Sequence, residues 1–259
     1  IFVIQINQAT ELMEIAELVW LRLEVKESAS VHLVLERVLY YIFSSSSSVT
    51  MLHKFGKFDA VCALPIPNKR AFVLLRMTAE EIGRYCGATA LTWNMHVCSC
   101  LWTGALTDDL DMSAAERELH LERRARHYAR ILDDGAIYSQ PFSEGGAAAA
   151  GAAPFSTSAK QVDGGWLING KKIFASLSGH ADYYGILCGE MKEGEKPSRR
   201  DTMYIAVPAR AEGVEVVGDW DPLGMRGTVS RTLIFKDVFV PDDEQLMPRG
   251  IYYQAASRW

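Results

Sequence analysis

Cysteine is scarce in this chain of 259 residues: five, at positions 62, 86, 98, 100 and 188. An odd count without a small-scaffold framework excludes a secreted, disulfide-stapled domain. Cys98-x-Cys100 lacks the spacing and the partners of a zinc site, so no metal is expected and the thiols read as buried and reduced. No apolar run reaches the length that spans a bilayer. No basic segment leads into an apolar stretch after Ile1, so neither a membrane span nor a signal peptide is expected, and the reading is cytoplasmic. An excess of one charge is missing too. The formal net charge of −5 offers no electrostatic case for nucleic acid. Arg123, Arg124 and Arg126 do cluster, but they stand among Glu116, Glu118 and Glu122, where they read as a solvated helix face with i,i+4 pairs. No Ser-His-Asp set or P-loop can be assembled from the spacings.

What is present is ordinary globular material, 49% hydrophobic and 23% charged. Residues 8–43 carry apolar side chains at three- and four-residue steps and read as helical, followed by a serine run from Ser44 to Ser48 that reads as a linker. From Thr78 the helical signal is strong: Ile82, Tyr85, Cys86, Thr89, Trp93, His96 and Val97 form one stripe, in which His96 reads as a core histidine. A second helix starts at Ser113, with Glu116 three residues on, and its apolar stripe is Leu121, Ala125, Tyr128 and Leu132. Asp133-Asp134-Gly135 ends it.

The texture then changes to short runs rich in Val, Ile, Phe and Tyr, predicting strands at 136–142, 157–162, 165–168, 171–176, 182–188, 202–207, 214–217 and 231–240. Asn169-Gly170 reads as a hairpin turn between the third and fourth of these. No helical stretch separates most of them, so the prediction is α+β: a helical domain over 1–134, then a mostly antiparallel barrel or sandwich over 135–245. Residues 246–259 read as the start of a further helix.

Three segments carry candidate chemistry. The first runs from Tyr138 through Phe142, Ser143, Glu144, Gly145 and Gly146 into four alanines, where glycine lets backbone approach a flat ring or a phosphate and Ser143 adds a hydroxyl. Glu144 reads as a residue that fixes this loop. The second, Asn169 to Ser176, delivers an aromatic, Phe174, and two residues later a small hydroxyl. The third is Leu223-Gly-Met-Arg226-Gly-Thr228-Val-Ser230 followed by Phe235-Lys-Asp-Val-Phe-Val-Pro241; Arg226 suits an anion or an acidic neighbour such as Asp221.

In this order the segments, with the helical run Glu80 to Leu91, resemble the acyl-CoA dehydrogenase family over about residues 78–259, while the first 75 or so match poorly. The resemblance implies FAD as cofactor, with Phe142 and Ser143 against the isoalloxazine, Phe174 packed on it, and Ala175 and Ser176 presenting donors near its reactive edge. It implies α,β-dehydrogenation of an acyl thioester, an acyl-CoA or similar small substrate, and a homo-oligomer. Gly145 stands where the family has proline, and Ala148 and Ala149 where it often has Gly-Ser; Ala149 thus falls at the substrate-contacting position. The family's C-terminal helical bundle, which supplies the carboxylate base, would follow Gly250. No catalytic residue is therefore named, and turnover by this chain alone is not expected. A flavin-dependent monooxygenase of the same fold and a non-catalytic fragment that binds no flavin are the alternatives.

Overall fold

The structure, a computed structural model, describes residues 78–104, 107–108, 110–145, 153–195 and 198–257. The helical reading of 8–43 and the serine linker lie outside these residues, as does Ala149. Residues 78–85 are helical; the backbone turns extended at Cys86 (φ −153°, ψ 103°), and helix α1 then runs Gly87–Thr103. This break splits the first stripe. Trp93, His96 and Val97 are buried, whereas Tyr85 and Cys86 are exposed, so Cys86 is a surface thiol, and among the described cysteines Cys100 and Cys188 are buried.

Helix α2, Ala114–Asp134, opens on the Ser113/Glu116 capping box and closes on Gly135 at φ 69°, where a left-handed residue costs glycine little. Its buried face is not the apolar stripe. His120, Arg123, His127 and Ile131 turn inward, while Leu121 and Ala125 are exposed. The reason lies far along the chain. Arg123 reaches Asp242 at 2.6 Å, Arg126 pairs with Asp243, and Arg130 grips both oxygens of Glu244 at 2.7 Å. Three acids on one turn after the last strand thus line up with arginines at helical spacing. The expected i,i+4 pair persists only as Arg126–Glu122, at 3.8 Å.

Among the described residues seven strands follow: β1 Tyr138–Ser139, β2 Ser158–Val162, β3 Gly165–Ala175, β4 Tyr183–Met191, β5 Thr202–Pro208, β6 Val214–Val217 and β7 Arg231–Pro241. They form one curled sheet. Strand β4 is its hub: β5 lies antiparallel along one edge, while β1 and β2 lie parallel to the two ends of the other. From β2 the sheet continues antiparallel through β3, β7 and β6. The sheet is therefore mixed around β4 and antiparallel elsewhere. Both faces of its centre are covered. Ile186, Cys188, Met203, Ile205 and Val207 enter one core, and Leu187, Tyr204 and Ala206 enter another shared with Cys100 and Ile131 of the helices. That is why β5 reads as a continuous apolar run rather than an alternation.

The Asn169-Gly170 hairpin is not formed. Strand β3 runs straight through it, and the reversal falls at Asp163-Gly164, between the paired Val162 and Gly165. Asn169 instead exchanges hydrogen bonds with Asp237 across a bulge, Nδ2 donating to Oδ1 at 2.8 Å and the Asp237 amide donating to Oδ1 of Asn169 at 2.9 Å. Gly170, at φ 146°, is needed for another reason: a Cβ there would sit 2.6 Å from Thr157 Cα.

Candidate functional site

Two segments meet at the end of the sheet beyond β3 and before β7. The Leu177 amide donates to Thr228 O at 2.8 Å, and the Ser178 amide donates to Val229 O at 3.1 Å. Four non-glycine residues here hold left-handed backbone: Phe174 (φ 53°), Leu177 (64°), Met225 (60°) and the β-branched Val229 (45°). Each such residue costs of order 1–3 kcal/mol, and strain of this kind concentrates where a site demands a fixed geometry. Helix α1 leans on the second segment, with Gly227 so close to Ala88 that an added Cβ would stand 3.1 Å from the alanine methyl.

The strain sets Phe174 out from the sheet. Its ring is 63% exposed and meets Trp220 edge-on, with centroids 6.1 Å apart. Trp220 is itself pinned, its indole N–H donating to Met225 O at 3.0 Å. An exposed phenyl and a fixed indole at right angles make an apolar corner that suits a planar ring.

Behind this corner the predicted residues separate into two groups. Ser143 is tied to β3 by its carbonyl, which accepts the Ile173 amide at 2.8 Å, one residue before Phe174. Ala175 and Ser176 are buried directly after it, and the Ser176 carbonyl accepts the Ser139 hydroxyl at 2.5 Å. Phe142, by contrast, points into the helix-side cluster, its ring 5.5 Å from Tyr204, 6.0 Å from Tyr252 and 6.5 Å from Trp102. Phe142 backs the site from the core.

Ser143 and Phe142 are fixed by a buried ion pair. Lys172 Nζ lies 2.7 Å from Glu144 Oε1, and it also donates to Leu187 O at 2.5 Å. Glu144 accepts the Ser156 amide and hydroxyl, each at 2.6 Å, and the Thr157 amide at 2.9 Å. Burial alone would raise the Glu144 carboxyl, but Lys172 and these donors outweigh it and hold it at about 2. Burial lowers the Lys172 ammonium, opposed by Glu144. Glu144 is thus a fastener between the two ends of the alanine-rich stretch, as its position suggested. Of the other candidates, Arg226 pairs with Asp221, His180 is exposed, and His96 Nδ1 accepts the Tyr138 amide at 3.0 Å in the core.

Trp220, Lys172 and the hydroxyls of Thr228 and Ser230 belong to this arrangement although sequence reasoning assigned them no role. Thr228 and Ser230 sat in view beside Arg226; only the tertiary fold brings them to Ser176. Among the described residues, no group of three His, Cys, Asp or Glu side chains is placed to hold a metal, and no helix is long and apolar enough to cross a membrane.

Residues 141–238 match the family described as acyl-CoA dehydrogenase, middle domain. Over this stretch the chain is similar to the middle domain of that family. Over 83 residues (32% of this chain and 19% of the other) it is 36% identical to the oxygenase component of an FADH(2)-dependent resorcinol hydroxylase from Rhizobium sp. (strain MTP-10005). Over 171 residues (66% of this chain, 38% of the other) it is 24% identical to mitochondrial isovaleryl-CoA dehydrogenase from Arabidopsis thaliana. Among solved structures, butyryl-CoA dehydrogenase from Megasphaera elsdenii aligns with a TM-score of 0.62 at 18% identity, covering 97% of this chain and 62% of that one. KijD3 in complex with FMN and a dTDP-linked amino sugar aligns with a TM-score of 0.61 at 18% identity, covering 91% of this chain and 54% of that one. At these identities the structures establish the fold. The chain spans less than two thirds of the length of each of these relatives. The relatives include both dehydrogenases and oxygen-using hydroxylases, so the class common to them is flavin oxidoreductase.

Proposed function

We propose that this chain supplies the ring-holding half of a flavin site in an oxidoreductase. Ser143, Phe174, Ala175 and Ser176 would lie against the isoalloxazine, with Phe142 behind them. The observation that carries this is the outward, left-handed Phe174 set against a pinned Trp220. An aromatic held open at a cost in strain has a planar partner as its natural explanation. FAD is the flavin we assign; FMN, held by KijD3, is the alternative. When bound, the flavin supplies the two-electron acceptor for α,β-dehydrogenation of an acyl thioester. The residues of this chain orient the ring, exclude water from one face of it and direct hydrogen bonds to its reactive edge. We assign a helical unit over 1–134, the flavin-cradling unit over 135–245 and a further segment from 246 whose helix runs Ile251–Ser257, with Ala149 toward the acyl-CoA and a homo-oligomeric assembly.

A second reading, reduced-flavin monooxygenation, has specific support. The hydroxylase match is 36% identical against 24% for the dehydrogenase, and alanines replace the Gly-Ser expected at the substrate position. Anaerobic mixing of the flavin-loaded protein with an acyl-CoA separates the two. Bleaching of the flavin, or a shift of its absorbance as an acyl-CoA binds beside it, supports dehydrogenation; a flavin whose spectrum no acyl-CoA moves, while the protein binds externally reduced flavin, supports the oxygenase. A colourless protein that takes up no flavin ends both.

A further inference from the structure

Three buried hydroxyls stand in file behind the apolar corner, and the direction of their hydrogen bonds can be counted. Thr228 Oγ1 donates to Met225 O at 2.9 Å; it lies 2.7 Å from Ser230 Oγ, which lies 2.9 Å from Ser176 Oγ. A hydroxyl has one proton and two lone pairs. With the Thr228 proton on Met225 O, Ser230 donates to Thr228, and Ser176 donates to Ser230. Ser176 then offers only lone pairs to anything beside it, so the donor expected at this residue becomes an acceptor.

The opposite polarity is also complete. Met225 O accepts the Thr228 amide at 3.1 Å and the Trp220 indole at 3.0 Å, so its two lone pairs stay occupied when Thr228 turns its proton toward Ser230. Ser230 then donates to Ser176, and the Ser176 proton is released to face outward. All three residues are buried, so the chain of hydroxyls rather than bulk solvent sets the polarity.

We propose that Thr228 and Ser230 form a reversible hydroxyl chain through which Ser176 donates to an oxidised flavin and accepts from a reduced one. This rests on the reading that the flavin's reactive edge lies at Ser176. The hydride-accepting ring nitrogen carries a lone pair when oxidised and an N–H when reduced, so a fixed hydroxyl matches only one state. Thr228 and Ser230 are positioning residues: they touch Ser176, not the ring.

Thr228→Val removes the far end of the chain. The buried Ser230 proton then has Ser176 as its partner within the chain, and Ser176 is held as an outward donor. Dissociation constants for oxidised and reduced flavin, measured anaerobically by titration, give the test. Thr228→Val is expected to weaken reduced flavin about tenfold relative to oxidised flavin, the scale of one unmatched hydrogen bond. Thr228→Ser restores the native ratio, and in a Ser176→Ala background Thr228→Val leaves the ratio unmoved. A packing role for Thr228 changes both constants alike and leaves their ratio alone. Thr228→Ala carries the same expectation if valine perturbs the fold. An unchanged ratio in a flavin-binding protein overturns the hydroxyl chain and leaves the flavin site standing; a native protein that binds neither form overturns both.

Discussion

Lys172 and Glu144 form an ion pair sealed inside the sheet, their side chains 0% and 3% exposed. Breaking such a pair from one side strands a charge, which typically costs about 3–5 kcal/mol. Lys172→Met is therefore expected to lower unfolding free energy in urea by about that amount, and the double variant Lys172→Met/Glu144→Gln by less than the sum of the singles. A loss below about 1 kcal/mol for the single variant would show that water reaches the pair.

Acidification should destabilise the packing of helix α2, through His120 against Thr103 and Thr107 and through His127 against Tyr138. Burial, with Arg124 adding to it, holds His120 near 4, and burial with Arg130 and Arg126 holds His127 near 3. Both are neutral in the fold, while in the unfolded chain they take up protons near 6.5. The unfolded state thus binds more protons below 6.5, and stability falls from there down to about pH 4 and 3. Glu144, depressed to about 2 from 4.5, adds a loss over that lower range. Melting temperature should decline steadily below pH 6.5, and His127→Gln should flatten the upper part of the decline. A flat curve down to pH 4.5 contradicts the buried neutral histidines.

The acid turn 242–244 should hold helix α2 mainly through Arg130. That pair is bidentate, and the Glu244 side chain is 7% exposed, whereas Asp242 and Asp243 are about half exposed. Glu244→Gln is expected to cost about 2–3 kcal/mol, and Asp243→Asn under about 1 kcal/mol. Chemical denaturation of the two variants checks the order; equal costs contradict it.

Two glycines in one hairpin should respond differently to a methyl group. Gly170→Ala drives Cβ into Thr157 backbone and is expected to cost more than about 2 kcal/mol. Gly164→Ala meets nothing within 4 Å and carries only the left-handed penalty at φ 74°, about 1 kcal/mol. Reversed costs would mean that Asn169-Gly170, not Asp163-Gly164, makes the turn.

The strands were legible because β-branched and aromatic runs mark them whichever face they bury, and β5 shows this with both faces covered. The turn was misplaced because Asn-Gly is the strongest local hairpin signal, yet here Asn169 is occupied by Asp237 and Gly170 by the approach of Thr157. Helix α2 misled for a similar reason: a periodicity of apolar residues cannot report an inward face made of arginine and histidine, and the acidic partners of Arg123 and Arg130 stand more than a hundred residues away. At the candidate site, Phe174 and Ser176 were readable from their motif. Trp220 and the Thr228–Ser230 hydroxyls were not, since their role exists only once β3 and β7 end side by side.

Equilibrium titration of the purified protein with FAD and with FMN, native beside Phe174→Ala, tests the central claim most directly. Phe174 is mostly exposed and strained, so removing its ring should leave the melting temperature within a few degrees of native. The account predicts that the native protein takes up one flavin per chain and that Phe174→Ala weakens this at least tenfold while remaining folded. Equal flavin affinity in the two proteins, or none in the native one, contradicts it.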